Sequence, residues 1–184
     1  MNPVEGVFHD FVKLFERLDV PYAVMGGLAV RAHGIPRPTY DVDLAILVDR
    51  QQLAAVINEI RQLGYDVAEQ YDKGWVDSVS GLPFIKAATF IEGRSLVADI
   101  FLAETDFLRS LISRRIRDTV NGFEAWLVTA EDLILLKLIA NRPRDIADIV
   151  DVLTMQLSLD DAYLRHWSDI LGVRDRLDRL RPET

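Results

Sequence analysis

The sequence contains no cysteine, so it has neither a disulfide framework nor a thiolate metal site. No apolar run approaches the roughly 20 residues that a membrane-spanning helix needs. The start, Met1-Asn2-Pro3-Val4-Glu5, lacks the basic opening and apolar stretch of a signal peptide. The expectation is a soluble cytoplasmic protein with no membrane partner. An excess of positive charge is also missing: 21 Lys and Arg stand against 29 Asp and Glu, a net charge of −8. Proteins that grip long nucleic acid usually carry a basic face, so broad non-specific binding is disfavoured, although net charge leaves a local patch open. The acidic balance raises the question of where an anionic substrate would sit, and a bound divalent cation is one answer. There is also no internal repeat, nucleophile elbow, zinc motif or dinucleotide fingerprint.

What the chain does have is a core. Its 184 residues are 49% apolar, which suits one domain or a compact domain with a helical appendage. Phe8, Phe11, Val12, Leu14, Phe15 and Leu18 recur at helical spacing. A short strand at 22–25 is broken by Gly26-Gly27, and a helix at 28–32 leads into a loop at 33–38 with two prolines. The pattern then predicts a strand at 41–48, a helix at 52–63, a loop at 74–83, and strands at 84–91 and 95–102 turning at Gly93. A helix at 105–116 precedes the hairpin signal Asn121-Gly122 and a strand at 125–128. Thr129-Ala130-Glu131-Asp132 resembles a capping box opening a helix to Ile139; Pro143 starts another to about Leu157, and the tail from Leu159 is helical. The expected architecture is α/β or α+β, a mixed sheet flanked by helices. Residues 1–128 form its core and 129–184 a helical region packed on that core.

Three carboxylates stand out. Asp41 and Asp43 lie two apart on a strand, so both point to one face. Beyond them the strand turns apolar on both faces, which puts the two acids at its rim. Asp99 interrupts Leu96-Val97-Ala98-Asp99-Ile100-Phe101-Leu102, a run that reads as buried on both faces. A carboxylate there must be neutralised, paired or metal-bound. An arginine salt bridge would satisfy it. If the two strands are neighbours, however, all three acids converge, and a hard divalent cation would relieve their repulsion. Gly26-Gly27 lies between a strand and a helix, where small residues let phosphate approach backbone N–H groups. Together these pieces read as a site for a metal-chelated triphosphate, and phosphoryl transfer needs little more.

Gly26-Gly27, the loop to Arg37-Pro38-Thr39, Asp41-Val42-Asp43-Leu44 and the later Asp99 resemble the polymerase-β-like nucleotidyltransferase superfamily. Gly26-Gly27-Leu28-Ala29, the spacing Arg37-x-Thr39-x-Asp41-x-Asp43-Leu44, Glu131-Asp132-Leu133-Ile134, Lys137-Leu138 and Arg144-Asp145-x-x-Asp148-Ile149 look closest to its AbiEii-like toxin–antitoxin group. The matches run from about residue 22 to residue 153. The resemblance implies that Asp41 and Asp43 bind Mg2+ or Mn2+, and that Asp99 completes the site and helps activate an acceptor hydroxyl. It implies that Gly26 and Gly27 line the phosphates, that Arg37, Thr39 and Lys137 contact phosphate or position the loop, and that Asp148 orients neighbouring basic groups. The activity implied is transfer of a nucleotide from a nucleoside triphosphate, with release of pyrophosphate, to an RNA or tRNA end, a protein or a small hydroxyl compound. A toxin-like role would bring a cognate antitoxin as partner; a catalytically silent, antitoxin-like binding module is the rival from another class. The chain departs from the superfamily in one place. Much of it has Gly-Ser where this chain has Gly26-Gly27, a form that also resembles the aminoglycoside and lincosamide nucleotidyltransferases, and Thr39 is a candidate source of the missing hydroxyl.

Other residues have plainer readings beside functional ones. Lys137, in an apolar helix, must snorkel or meet a charge. Arg142, Arg144, Asp145 and Asp148 have the spacing of helix-surface ion pairs, worth only about a few tenths of a kcal/mol. Arg109, Arg114, Arg115 and Arg117 form the densest basic stretch, either a solvated helix end or an RNA contact. His33 could meet a base or ribose, Trp75 could stack on a base, and Trp126 reads as core.

Overall fold

The structure is a computed structural model in which residues 2–72, 75–76, 81–91 and 93–181 are described. Helix α1 (Pro3–Arg17) opens with a capping box: the Asn2 side chain accepts from the Val4 N–H, and Glu5 reaches back to the Asn2 N–H at 3.0 Å. Its apolar face, with Phe8, Phe11 and Phe15, is fully buried. Strand β1 (Tyr22–Met25), helix α2 (Gly26–Ala32), strand β2 (Asp41–Ile46) and helix α3 (Arg50–Gln62) follow. Strands β3 (Trp75–Val76), β4 (Pro83–Ile91) and β5 (Arg94–Leu102) precede helix α4 (Asp106–Arg114), and β6 (Ile116–Val120) and β7 (Phe123–Leu127) form a hairpin. Helices α5 (Ala130–Ala140), α6 (Pro143–Met155), α7 (Asp161–Ile170) and α8 (Arg174–Leu180) end the chain.

The expected mixed sheet is present, with seven strands in the order β3-β4-β5-β2-β1-β7-β6. β2 runs parallel to β5 and β1 to β7, while the remaining neighbours are antiparallel. Side-chain alternation separates two apolar layers. Val42, Leu44 and Ile46 of β2 and Leu96, Ala98, Ile100 and Leu102 of β5 pack on α1 and α3. Ala45 lies on the opposite face, in a second layer with residues of α2, α4 and α5 to α8.

Three local readings need correction. The helix expected over 105–116 stops at Arg114, and Ile116–Val120 is an edge strand. Four of its five residues are exposed, so it has no apolar alternation to announce it. Only the Asn121-Gly122 turn does so, with φ of 51° and 81°, a pair of left-handed residues that favours a tight hairpin. The run 96–102 is buried on one face only: Val97, Asp99 and Phe101 are half-buried on the other. Within the expected loop at 74–83, Trp75–Val76 pair with β4 as β3, and Gly74 and 77–80 lie outside the described residues.

The most consequential correction concerns α6. Asp145 and Asp148 face inward rather than forming surface pairs, with only 3% and 4% of each residue exposed. Helix α5 ends at Asn141, which takes the left-handed φ of 50°, and Pro143 restarts the chain as α6. This tight turn brings α6 back against α5. Lys137 Nζ then donates to Asp145 Oδ1 at 2.8 Å and to Asp148 Oδ2 at 2.7 Å. Arg37, from the loop before β2, donates to the same Asp148 oxygen at 2.7 Å. Arg142 Nε bonds Asp145 at 2.9 Å, and Arg144 reaches the Pro38 carbonyl at 2.8 Å. Burial pushes the Asp145 carboxyl up, but the hydrogen bonds and charges of Lys137 and then Arg142 outweigh it and hold the group below the usual carboxylate range.

Removing one partner of such a buried network leaves charge without compensation, at a cost of about 3–5 kcal/mol. Lys137→Met is expected to lose about that much stability at about pH 7, with the gap to wild type narrowing at about pH 5. A depressed pKa stabilises the wild type above the ordinary carboxylate range, and that contribution is lost as pH falls through the folded value. In the variant Asp145 stays buried but loses its principal cation, so it takes up its proton at higher pH than in the wild type and falling pH narrows the deficit. Urea midpoints at both pH values check this; an equal deficit at each would contradict it.

Candidate active site

The three acids meet because of strand register. Parallel pairing of β2 with β5 sets Asp43 beside Asp99 and Asp41 beside Val97, and the odd-numbered residues share one face. That face is covered by helices only in part. Asp41, Asp43 and Asp99 therefore line a cavity of about 360 Å³ with Gly27, Arg37 and Thr39 on one side and Phe84, Lys86 and Phe101 on another. Lys137, Arg142, Arg144 and Asp145 close it from α5 and α6. The Asp43 carboxyl is pushed up to about 7, first by burial and then by the charges of Asp41 and Asp99; Lys137 and Arg142 offset part of this.

The glycine pair serves two separate close approaches. Gly26 has a φ of +62°, and a Cβ there would lie 1.8 Å from Asp43 Oδ2, so the acid occupies the space that a side chain would fill. Gly26 borders a smaller annex of about 90 Å³, lined with Met25, Leu133 and Leu136, rather than the main cavity. A Cβ on Gly27 would lie 2.5 Å from Thr39 Oγ1. The Thr39 hydroxyl thus stands where a residue 27 side chain would project, and it donates to Asp41 Oδ1 at 3.0 Å. Arg37 Nε is buried and has no hydrogen-bond partner among the described residues.

Of the residues singled out in the sequence, Gly27, Arg37, Thr39, Asp41, Asp43, Asp99 and Lys137 line one cavity. Gly26 backs Asp43, and Asp148 lies behind the wall, gripping Arg37 and Lys137. Sequence reasoning missed Lys86, whose Nζ lies 3.0 Å from Asp99 Oδ1, so the ion pair weighed for Asp99 exists but with a lysine. It also missed the stacked pair Phe84–Phe101, with ring centroids 5.6 Å apart, and the inward role of Asp145.

The arginine stretch is occupied with the fold. Arg114 lies 3.7 Å from the Tyr163 ring centroid and within 3.8 Å of carboxylates on Glu131, Asp132 and Asp160. Arg115 and Arg117 sit over Trp126, which is half-buried rather than core, and Arg117 also pairs with Glu16 and Glu124. Arg109 donates to the Ala103 carbonyl at 3.4 Å. His33 Nε2 bonds the Val128 carbonyl at 3.0 Å, and Trp75 is half-exposed on β3.

Among the described residues, no three acidic or imidazole side chains are drawn around one point as ligands. The donor set nevertheless suits a hard divalent cation. Asp41, Asp43 and Asp99 offer only carboxylate oxygens, and Asp43 faces the charges of both Asp41 and Asp99 in a buried position.

Comparison with known protein families finds no match, and no curated protein is significantly similar in sequence. Solved structures do match. An antigenic nucleotidyltransferase-like protein from Paracoccidioides brasiliensis shares 20% identity, with 96% of this chain and 91% of that one covered and a TM-score of 0.56. ANT(2")-Ia in complex with adenylyl-2"-tobramycin shares 17% identity over 94% of this chain and 97% of that one, with a TM-score of 0.54. The lincosamide antibiotic adenylyltransferase LnuA, lincomycin-bound, shares 16% identity over 81% of this chain and 96% of its own, with a TM-score of 0.51. The chain has the nucleotidyltransferase fold.

Proposed function

We propose that this chain is a metal-dependent nucleotidyltransferase that moves a nucleoside monophosphate from a nucleoside triphosphate to an acceptor hydroxyl. The observation that carries the reading is the register of Asp43 against Asp99, with Asp41 on the same face, in a cavity that also holds Arg37, Lys137, Arg142 and Arg144. Asp41 and Asp43, with Asp99, would hold Mg2+ or Mn2+, which when bound neutralises phosphate charge and orients the reacting groups. The four cations attract the triphosphate; Arg37 and Lys137 are held in place by Asp148. The acceptor oxygen bonds the α-phosphorus as the bond to the bridging oxygen breaks. Its proton passes to Asp99, and pyrophosphate leaves.

For the acceptor, the AbiEii-like resemblance supports an RNA or tRNA end or a protein, in a cytoplasmic toxin–antitoxin setting with a cognate antitoxin. A second reading, a small-molecule acceptor, is supported by fold neighbours seen in complex with adenylyl-2"-tobramycin and bound to lincomycin, and by an arginine stretch already engaged within the fold. A silent binding module would need no ordered acids, whereas here all three share one cavity.

The test is label transfer from each α-labelled triphosphate, with magnesium, into separate pools of tRNA, protein and aminoglycosides. Label is expected in one pool, and Asp41→Asn/Asp43→Asn is expected to reduce transfer at least about a thousandfold, about 4 kcal/mol of barrier. Triphosphate binding without transfer to any pool would favour the silent module.

The Gly27–Thr39 contact gives a second expectation. If the Thr39 hydroxyl serves where a residue 27 hydroxyl would, Thr39→Ala weakens magnesium–triphosphate binding about tenfold by calorimetry. Gly27→Ser alone also weakens it, because its Cβ would lie 2.5 Å from Thr39 Oγ1 and 2.9 Å from Thr39 Cβ, and Gly27→Ser/Thr39→Gly, which removes both atoms, recovers most of the loss. A double variant no better than Thr39→Ala contradicts the exchange.

A further inference from the structure

Lys86 differs from the other cations of the cavity in the partner it has. Arg37, Lys137 and Arg142 are paired with Asp148 and Asp145, acids of α6 that lie behind the proposed metal ligands. Lys86 is paired with Asp99, one of those ligands, through Nζ 3.0 Å from Oδ1. The contact is set by the backbone, because the β4–β5 hairpin places Lys86 directly opposite Asp99. The alternation of β4 turns Ile85 and Ala87 into the core beneath α1 and α3, and Phe84 and Lys86 toward the cavity. The two side chains remain 39% and 24% exposed, and the ammonium lies 5.8 Å from the Phe84 ring centroid.

We infer that Lys86 is a positioning residue that acts through Asp99: it occupies the third carboxylate as a built-in cation and yields it when triphosphate enters. The inference rests on the metal-dependent reading above. An oxygen ion-paired with an ammonium is a poorer ligand for a divalent ion, and the two cations repel across a few ångströms. A half-exposed lysine pair is weakly held, and the flexible four-carbon stem lets the ammonium swing without moving the strand. The phosphates of a triphosphate in the same cavity offer it an alternative partner. Lys86 therefore keeps the acidic cluster quiet in the empty enzyme, and couples metal binding to nucleotide binding so that each strengthens the other. A salt bridge serving the hairpin alone would give no such coupling.

The test is titration of Mn2+ by electron paramagnetic resonance, with and without a non-hydrolysable triphosphate, on wild type, Lys86→Met, Lys86→Arg and Lys86→Met/Asp99→Asn. Without nucleotide, Lys86→Met is expected to bind Mn2+ about tenfold more tightly than wild type, and the enhancement by nucleotide is expected to shrink. Lys86→Arg, which keeps the cation, is expected to behave as wild type, showing that the hairpin tolerates substitution. Lys86→Met/Asp99→Asn is expected to lose the gain. Mn2+ affinity within about twofold of wild type in Lys86→Met overturns the inference while leaving the metal site standing. A gain that persists in the double variant overturns it as well, since it would then reflect general loss of positive charge. Failure of every variant to bind Mn2+ overturns both this inference and the metal-dependent reading.

Discussion

The site depends on the register between β2 and β5. Side chains alternate along a strand, so a slip of one residue would turn Asp43 into the core and bring an apolar neighbour to the cavity. What prevents the slip is the opposite face: Val42, Leu44 and Ile46 on β2 and Leu96, Ala98, Ile100 and Leu102 on β5 all bury against α1 and α3, where Phe8, Phe11 and Phe15 are fully enclosed. Moving either strand would expose these residues together, at about 1.5–3 kcal/mol for each large side chain. The apolar halves of the two strands thus hold three mutually repelling acids in place. Chemistry on one face is stabilised by burial on the other.

The electrostatic arrangement answers the question posed by the acidic composition. A net charge of −8 does not prevent the cavity from gathering Arg37, Lys86, Lys137, Arg142 and Arg144 around its acids. These cations are ordered in two tiers. Deep in the structure, Asp145 and Asp148 fix Lys137 and Arg37, which keeps two long side chains from wandering and lowers the entropy lost when an anion binds. Nearer solvent, Lys86 and Arg144 are held more loosely, by a half-exposed pair and by a backbone carbonyl. A triphosphate would meet both a fixed cradle and movable arms.

Much of this was legible in the sequence, and the reasons differ by residue. Asp41 and Asp43 stand at a strand's polar end, and the pleat alone puts them on one side. Asp99 interrupts an apolar run, which marks it even though its own face proved half-open. Lys86 carries a signal of a quieter kind, in the register of the hairpin rather than in any motif. With Gly93 in the turn and Ile91 opposite Arg94, counting back along both strands reaches Lys86 opposite Asp99. Asp148 was read as orienting neighbouring basic groups, but Asp145 was misjudged, because helical spacing defines a face without saying which way it points. That direction came from the left-handed Asn141 and from the buried lysine needing a partner. β6 was missed because an exposed edge strand has no apolar periodicity to detect, which leaves the Asn121-Gly122 turn as its one announcement.

The C-terminal helices constrain function as well as fold. Asp132 is fully buried near the start of α5, accepting from the Thr129 hydroxyl at 2.8 Å and the Tyr163 hydroxyl at 2.6 Å, with Arg114 stacked on Tyr163 beside it. This cluster joins α4, α5 and α7, and it explains why the densest basic segment of the sequence serves the fold. Farther along the same helix, Lys137 enters the cavity. One end of α5 is therefore anchored by a buried acid while the other presents a buried base to the site, so docking of α7 and placement of Lys137 are coupled through a single rigid element. With Arg114, Arg115 and Arg117 engaged in this way, the aromatic groups beside the cavity are exposed Tyr40 and the Phe84–Phe101 pair, next to Lys86.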